Sequence, residues 1–131
     1  MKPVPGTLVA VLGLRDTGYL SALCLHERGY KVFASDLADT EDIRANVLKL
    51  AERGILAECG THSLEKILEA DWVLISPGIP PGSRVYQAVR AADKPVFSEI
   101  EVASWFSAAK TVVAVTGSCG KTTTATLIAR I

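Results

Sequence analysis

Short, continuous apolar runs alternate along the chain with longer segments whose apolar residues recur at helical spacing. The runs are rich in Val and Leu and cover residues 7–14, 31–35, 72–76 and 112–115, with a shorter candidate at 55–59. Continuous apolar character, without alternation, is typical of strands that are covered on both faces, as in a parallel sheet. The pattern therefore predicts parallel strands joined by helices.

The first helix is predicted between the first two strands. Gly29 stands where this helix would end, because glycine readily adopts the backbone conformation that terminates helices. The apolar residues of the segment define its predicted buried face: Tyr19, Leu20, Leu23 and Cys24. Strand, helix and strand together make a predicted β-α-β unit.

Capping signals and apolar spacing predict four further helices. These helices cover residues 41–53, 64–68, 85–92 and 100–108. The candidate N-caps are Thr40 or Asp39, Ser83 and Ser98, and the first of the four helices is predicted to bury Ile43, Val47 and Leu50. Ser98 and Glu101 also have the spacing of a capping box.

This alternation predicts an α/β fold with a Rossmann-like, open and mostly parallel sheet that has helices on both faces. Pro95 interrupts the chain, so a domain boundary is expected near residues 93–95. Residues 1–94 are then one domain. Residues 95–131 are a linker helix followed by the first strand, loop and helix of a second domain.

Composition and charge exclude several classes of function. The 131 residues include 14 Lys and Arg against 14 Asp and Glu, without a block of one sign, so neither nucleic acid nor an anionic membrane is an expected partner. No apolar run approaches the roughly 20 residues that span a bilayer. The three cysteines are widely spaced, which argues against disulfides and zinc. A monomeric, cytoplasmic protein is expected.

The turn after the first strand is a candidate phosphate site. It runs from Gly13 to Gly18 and leads into a helix, whose N-terminal N–H groups can bind anions. Arg15 stands where the dinucleotide-binding fingerprint has glycine, so the match is incomplete. Asp36 ends the second strand, where an acid can bind a ribose. Alternatively, both glycines permit tight packing and Asp36 caps a turn.

A second candidate lies where the strand at residues 72–76 stops. Residues 76–80 read Ser-Pro-Gly-Ile-Pro and should lie at the carboxyl edge of the sheet, where open α/β folds bind ligands. Gly78 would let the backbone approach a ligand closely. The alternative is a Pro-Gly turn without a ligand.

Residues 112–124 have the order of a phosphate-binding loop, namely a strand, a glycine-containing turn and a polar helix start. N–H groups near Gly117 and Gly120 can surround phosphates, Lys121 can neutralise their charge, and the Thr122 hydroxyl can bind Mg²⁺. The strict pattern fails because its first glycine would fall on Val115, so an ordinary strand-turn-helix join stays open. Cys119, beside Lys121, is in a position that favours a thiolate.

Other polar residues are expected to be structural. His26 and His62 have no neighbours at metal-ligand spacing and are interpreted as surface or hydrogen-bonding histidines. Glu99 and Glu101 could act as catalytic carboxylates. The capping role of Glu101 is sufficient to explain that residue.

Four motifs in this order resemble the Mur ligases, and the resemblance covers essentially the whole chain. They are the Gly13–Gly18 turn with Asp36, and residues 76–79, 98–101 and 116–123. Within that family, the first turn and the Ser-Pro-Gly-Ile segment are similar to the branch that adds D-glutamate to UDP-N-acetylmuramoyl-L-alanine. Arg15 replaces a frequent glycine of the family, and Cys119 replaces its usual asparagine.

The resemblance implies two binding sites. In this family the first domain holds the UDP end of the substrate, which implies uridine-nucleotide contacts for Asp16, Thr17, Asp36 and Gly78. The ATP loop of the central domain corresponds to Gly117, Ser118, Cys119, Gly120, Lys121, Thr122 and Thr123. Lys121 would then offset phosphate charge during catalysis, and Thr122 would bind Mg²⁺.

The resemblance also implies a reaction, in which ATP phosphorylates the substrate carboxylate and D-glutamate displaces the phosphate. Because the chain ends soon after the loop, we expect a fragment truncated early in the second, P-loop ATPase domain. Such a fragment should be inactive and hold neither ATP nor Mg²⁺ tightly. Two alternatives stay open: an NAD(P)-binding oxidoreductase module, against which Arg15 and the Lys121 loop both count, and a catalytically silent nucleotide-binding regulatory domain.

Overall fold

A computed structural model gives the conformation of residues 1–130, and strands alternate with helices as far as residue 106. In chain order the elements are β1 (Leu8–Leu12), α1 (Asp16–Glu27), β2 (Lys31–Asp36), α2 (Glu41–Glu52), β3 (Leu56–Cys59), α3 (Leu64–Glu69), β4 (Trp72–Ile75), α4 (Arg84–Ala91), β5 (Val96–Phe97), α5 (Glu99–Phe106) and α6 (Lys121–Ile128). The predicted strands 7–14, 31–35, 55–59 and 72–76 are confirmed within a few residues.

The five strands form one parallel sheet in the order β3-β2-β1-β4-β5. Leu12, the last residue of β1, pairs with Ser35 of β2 on one side and with Ile75 of β4 on the other. The carboxyl ends of the strands therefore meet at one edge. Since the chain leaves β1 toward β2 and later returns to β4 on the opposite side, β1 marks the topological switch point, where open α/β sheets bind ligands.

Helices cover both faces of the sheet, as predicted. Val9 and Val11 of β1 belong to one core with residues of α1, α2 and α5. Ala10 and Leu12 point to the other face and belong to a second core with residues of α3 and α4. Successive side chains of a strand point to opposite faces, so a strand buried on both sides must be apolar throughout.

The predicted buried face of α1 is partly wrong. Leu20 is 57% exposed, and Tyr19 and Leu23 pack only at the margin of the core. The buried residues are Gly18, Ala22 and Leu25. The small residues Gly18 and Ala22 let the helix approach the sheet closely. The helix therefore buries the face that carries them, and not the face with the larger apolar side chains.

The predicted helix caps are confirmed. The hydroxyl of Thr40 accepts a hydrogen bond from the Ile43 N–H of α2, and that of Ser83 accepts one from the Tyr86 N–H of α4. Ser98 and Glu101 form both bonds of the capping box that begins α5. These side chains bind N–H groups that have no partner within the helix itself.

The sheet domain extends past the boundary predicted near residue 94. Val96 of β5 pairs with Val73 of β4, and Val102 of α5 is buried in the core. The indole rings of Trp72 and Trp105 pack edge to face with centroids 5.6 Å apart. The residues that follow Pro95 therefore complete the sheet domain as far as Phe106 and do not merely link it to a second one.

Residues 107–130 contain no buried side chain. The strand predicted at residues 112–115 is absent, because a strand needs a neighbour to pair its N–H and C=O groups and none of the five strands pairs with this segment. The predicted helix after the loop is present as α6. Ile131, the last residue of the predicted second domain, lies outside the described residues.

Across residues 1–130, none of the helices combines the length and the apolar character that crossing a membrane would require.

Candidate functional site

A cleft of about 1060 Å³ opens at the carboxyl edge of the sheet. The loops after β1, β2, β3 and β4 border it, and the first residues of α3 and α4 close its far side. Its size is close to the upper limit of the range for pockets that hold small ligands. The fold thus places a ligand-sized space at the switch point marked by β1.

The turn after β1 requires both of its glycines. Gly13 has φ +94°, and a Cβ there would lie 2.7 Å from the Cβ of Ser76, at the end of β4. A Cβ at Gly18 would overlap the carbonyl oxygen of Gly13. The chain therefore turns tightly from β1 into α1, and the start of α1 stays close to the sheet.

Side chains from β2 and α2 hold this turn in place. The Leu14 N–H donates to Asp36 Oδ2 at 2.6 Å, and the Ala38 N–H donates to Asp36 Oδ1 at 2.8 Å. Asn46 of α2 donates through Nδ2 to the Leu14 carbonyl oxygen at 2.8 Å. The Asp36 carboxylate thus joins the turn after β1 to the end of β2 and also borders the cleft.

Positive groups border the cleft on the side of β1 and β4. Arg15 precedes α1, and Arg84 begins α4. Within the described part of the chain neither guanidinium has a hydrogen-bond or ion-pair partner. The first N–H groups of α1 also lack intrahelical acceptors, as at every helix start. This end of the cleft is therefore suited to an anionic group.

A polar network lies at the other end of the cleft, beneath the loop after β3. The fully buried Ser35 Oγ lies 2.8 Å from Glu58 Oε1, 2.8 Å from His62 Nδ1 and 3.2 Å from the Thr61 carbonyl oxygen. Glu58 also accepts bonds from the Ser63 N–H at 2.7 Å and the Ser63 hydroxyl at 2.6 Å. These contacts fix the loop that carries His62 into the cleft wall.

The network shifts two pKa values. Burial alone would raise the pKa of Glu58, but hydrogen bonds from Ser63 and Ser35 outweigh it, and the pKa lies below its usual value. Burial lowers the pKa of His62, and the nearby carboxylates of Asp36 and Glu58 only partly oppose this. At neutral pH Glu58 is therefore ionised and His62 is neutral.

The structure brings together some of the residues predicted to contact a uridine nucleotide. Asp36 and Gly78 border the cleft, together with Arg15. Asp16 and Thr17 are exposed in the first turn of α1 and do not border it with their side chains. Their main-chain N–H groups, at the start of the helix, are the parts of these residues that face a bound anion in sites of this kind.

The predicted ATP-loop residues lie elsewhere and do not border the cleft: Gly117, Ser118, Cys119, Gly120, Lys121, Thr122 and Thr123. All seven are exposed. Gly120 is the N-cap of α6, with the left-handed backbone that glycine adopts easily, and Lys121 is the first residue of the helix. The loop, the lysine and the helix start follow one another in the predicted order, and none of the strands within residues 1–130 pairs with this segment. Phosphate binding by the loop stays a prediction.

The two other candidate carboxylates differ in their surroundings. Glu101 is held in the capping box of α5. Oε1 of Glu99 is buried, has no hydrogen-bond partner among residues 1–130, and would lie 3.7 Å from a Cβ at Gly18. Considering residues 1–130 alone, no three His, Cys, Asp or Glu side chains are grouped as metal ligands.

Sequence reasoning missed several residues of the site: Ser35, Asn46, Glu58, His62 and Arg84. Ser35 had a visible signal, because it is a polar residue near the end of an otherwise apolar strand. His62 follows β3, so its position beside β2 depends on the strand order, which the sequence does not state. Nothing in the sequence distinguishes Arg84 from the other basic residues of the chain.

An open parallel sheet, a glycine turn into a helix and a cleft at the switch point define a Rossmann-like domain. The family described as "Mur ligase MurD-like, N-terminal domain" matches residues 7–98. The chain belongs to this family, as the four motifs predicted.

Curated relatives support the same assignment. A UDP-N-acetylmuramoylalanine--D-glutamate ligase of Chloroherpeton thalassium is 39% identical over 130 residues, which are 99% of this chain and 27% of the relative. One from Chlorobium phaeobacteroides is 43% identical over 131 residues, with 98% of this chain and 27% of the relative covered. The chain thus spans about a quarter of the length of these relatives.

Solved structures agree with the fold. A pseudomurein peptide ligase type C from Methanothermus fervidus has a TM-score of 0.65 and 29% identity, over 91% of this chain and 24% of that one. A murein peptide ligase from Psychrobacter arcticus also has a TM-score of 0.65, with 24% identity, over 95% of this chain and 26% of that one. The second match bears on the fold alone.

Proposed function

We propose that the cleft binds the uridine-diphosphate end of UDP-N-acetylmuramoyl-L-alanine, and that the chain is the N-terminal part of a ligase that adds D-glutamate to it. The observation that carries the proposal is the cleft at the switch point, bordered by the Gly13–Gly18 turn, Asp36 and Gly78. Membership of the Mur ligase family and the names of the curated relatives agree with this choice of ligand.

The diphosphate belongs at the start of α1. There the first N–H groups of the helix, at Asp16 and Thr17, combine with the guanidinium groups of Arg15 and Arg84, and both favour negative charge. Arg15 replaces a glycine of the family pattern. In this chain a charged side chain would therefore provide part of the diphosphate binding that close backbone contact provides in family members with glycine at this position.

The ribose belongs beside Asp36, whose oxygens each keep one lone pair after accepting the bonds from Leu14 and Ala38. Gly78, across the cleft, would bring backbone close to the ligand. The nearest atom to a Cβ at Gly78 would be Ser76 Oγ, at 4.0 Å. The space beside this glycine is therefore open to a ligand.

For the whole ligase, we propose that Gly117–Thr123 binds ATP. The loop is polar, Lys121 can offset phosphate charge, and the Thr122 hydroxyl is a suitable oxygen ligand for Mg²⁺. ATP would activate the substrate carboxylate as an acyl phosphate, and the amine of D-glutamate would displace the phosphate. Within residues 1–130 no element packs around the loop, so we expect neither ATP hydrolysis nor ligation, nor tight ATP binding.

Titration calorimetry on the 131-residue chain tests the proposal, with UDP, the UDP-sugar substrate, NAD and ATP as separate ligands. UDP and the UDP-sugar should bind more tightly than NAD. Gly78→Ala should weaken UDP binding by about tenfold, because the new methyl group occupies space at the ligand. Gly82→Ala is the matched control, since it lies in the same loop, outside the cleft wall, with nothing within 4 Å of its Cβ position.

Tighter binding of NAD than of UDP would contradict the proposal and favour an oxidoreductase module. Equal effects of the two glycine variants would show that the ligand does not approach Gly78.

A monomeric state and a cytoplasmic location remain predictions from composition. Analytical sedimentation and cell fractionation can test them.

A further inference from the structure

The hydrogen bonds of Ser35 determine which ring nitrogen of His62 carries a proton. Ser35 Oγ has three polar neighbours and one proton, and it is fully buried, so water does not supply another partner. Two neighbours, Glu58 Oε1 and the Thr61 carbonyl oxygen, are acceptors only. The hydroxyl must donate to one of these oxygens, and its own oxygen must then accept from His62 Nδ1–H.

This leaves a lone pair on the other ring nitrogen. In a neutral imidazole with a proton on Nδ1, Nε2 is an acceptor. Nε2 makes no hydrogen bond with any residue in the range 1–130, and it is not among the buried atoms without a partner, so it reaches solvent in the cleft that His62 borders. The lowered pKa of His62, caused by burial, agrees with the neutral form.

The position of His62 along the sheet indicates which part of a nucleotide it meets. The turn at Gly13 follows β1, Asp36 ends β2 and His62 follows β3, and these three strands are adjacent in this order. Neighbouring strands lie about 4.8 Å apart, so the three positions span on the order of 10 Å. With the diphosphate at the first position and the ribose at the second, the base falls at the third.

Building on the proposed function, we propose that His62 reads the base: its Nε2 accepts a hydrogen bond from the imide N–H of uracil and so selects uridine over cytidine nucleotides. Uracil carries a proton on the ring nitrogen of its pairing edge, whereas cytosine has a lone pair at that atom. A lone pair facing Nε2 would repel it, and a buried polar atom without a partner costs binding affinity.

Calorimetry with UDP and CDP on the full chain tests the proposal. The native chain should bind UDP at least about tenfold more tightly than CDP. His62→Asn removes the acceptor, while its amide can still donate to Ser35, and the preference should fall to within about threefold. His26→Asn is the control, because His26 is exposed in the last turn of α1, near the opposite edge of the sheet.

Nitrogen-15 spectra of the histidine rings give a second measurement that does not depend on a stable variant. At neutral pH and without UDP, the His62 ring should show a protonated Nδ1 and an unprotonated Nε2. Addition of UDP should shift the Nε2 resonance. A proton on Nε2, either in the other tautomer or in a charged ring, would overturn the proposal.

The outcomes separate this inference from the function on which it rests. If UDP binds but CDP binds equally well, or if His62→Asn weakens both equally, then His62 does not read the base and only the inference fails. If the native chain binds no uridine nucleotide, the proposed function fails, and the inference fails with it.

Discussion

Removal of the Asp36 carboxylate tests how the phosphate turn is held. Its two oxygens accept hydrogen bonds from the N–H groups of Leu14 and Ala38, at 2.6 and 2.8 Å, and both bonds are partly buried. Asp36→Ala leaves both N–H groups without an acceptor. Asp36→Asn keeps one acceptor oxygen and so leaves one N–H group unpaired.

The magnitude follows from these two bonds. A buried N–H group that loses its acceptor costs about 1–3 kcal/mol, and partial burial favours the lower half of that range. Asp36→Ala should therefore lower the free energy of unfolding by about 2–4 kcal/mol, and Asp36→Asn by about half as much. The native ribose contact proposed above would be lost in addition, so UDP affinity should also fall in Asp36→Ala.

Urea denaturation measures both variants, with the free energy taken by linear extrapolation. Asp71→Ala is the matched control: its exposed carboxylate accepts one bond, from the Leu8 N–H at 2.7 Å, at the opposite edge of the sheet. This control should cost less than about 1 kcal/mol. If Asp36→Ala costs no more than Asp71→Ala, the carboxylate does not hold the turn, and the reasoning is refuted.

Three further predictions concern the rest of the domain. Because folding lowers the pKa of His62 below 6.5, the free energy of unfolding should fall as the pH drops below about 6.5, and His62→Asn should remove this dependence. The lowered pKa of Glu58 should cause a second decrease below about pH 4.5. Leu25→Ala should lower the free energy of unfolding by about 2–5 kcal/mol, whereas Leu20→Ala should change it by less than about 0.5 kcal/mol. Equal costs in urea denaturation would mean that Leu20 is buried, as the sequence pattern predicted. Ser98→Ala should cost about 0.5–2 kcal/mol in thermal unfolding through loss of the capping box, and an unchanged midpoint would contradict that role.

The central elements of the fold were predictable because their signals are local. β1, β2 and β4 are apolar on both faces, and Thr40, Ser83 and Ser98 are caps that act within one helical turn. Elements whose formation depends on a partner were not predictable. β5 has only two residues and forms through pairing with β4, whereas the apolar residues 112–115 find no partner strand.

The candidate site divides in the same way. Gly13, Gly78 and Asp36 follow strands that the sequence indicates, so their meeting at one edge could be predicted from parallel topology alone. His62 and Ser35 are separated by 27 positions in the chain and meet only because β3 lies beside β2 at the edge of the sheet. The interpretation of His62 as a surface or hydrogen-bonding histidine agrees with its bond to Ser35. Strand order is a tertiary property, so this interpretation did not place His62 in the cleft.

Amide chemical-shift mapping with UDP on the 131-residue chain tests the central claim most directly, because it shows where the nucleotide binds as well as whether it binds. The account predicts that UDP shifts the resonances around Gly13, Asp36 and Gly78, at the carboxyl edge of the sheet. Resonances of Gly117–Thr123 should stay unchanged at the same concentration. Shifts confined to Gly117–Thr123, or an undisturbed cleft at millimolar UDP together with shifts caused by NAD, would contradict the account.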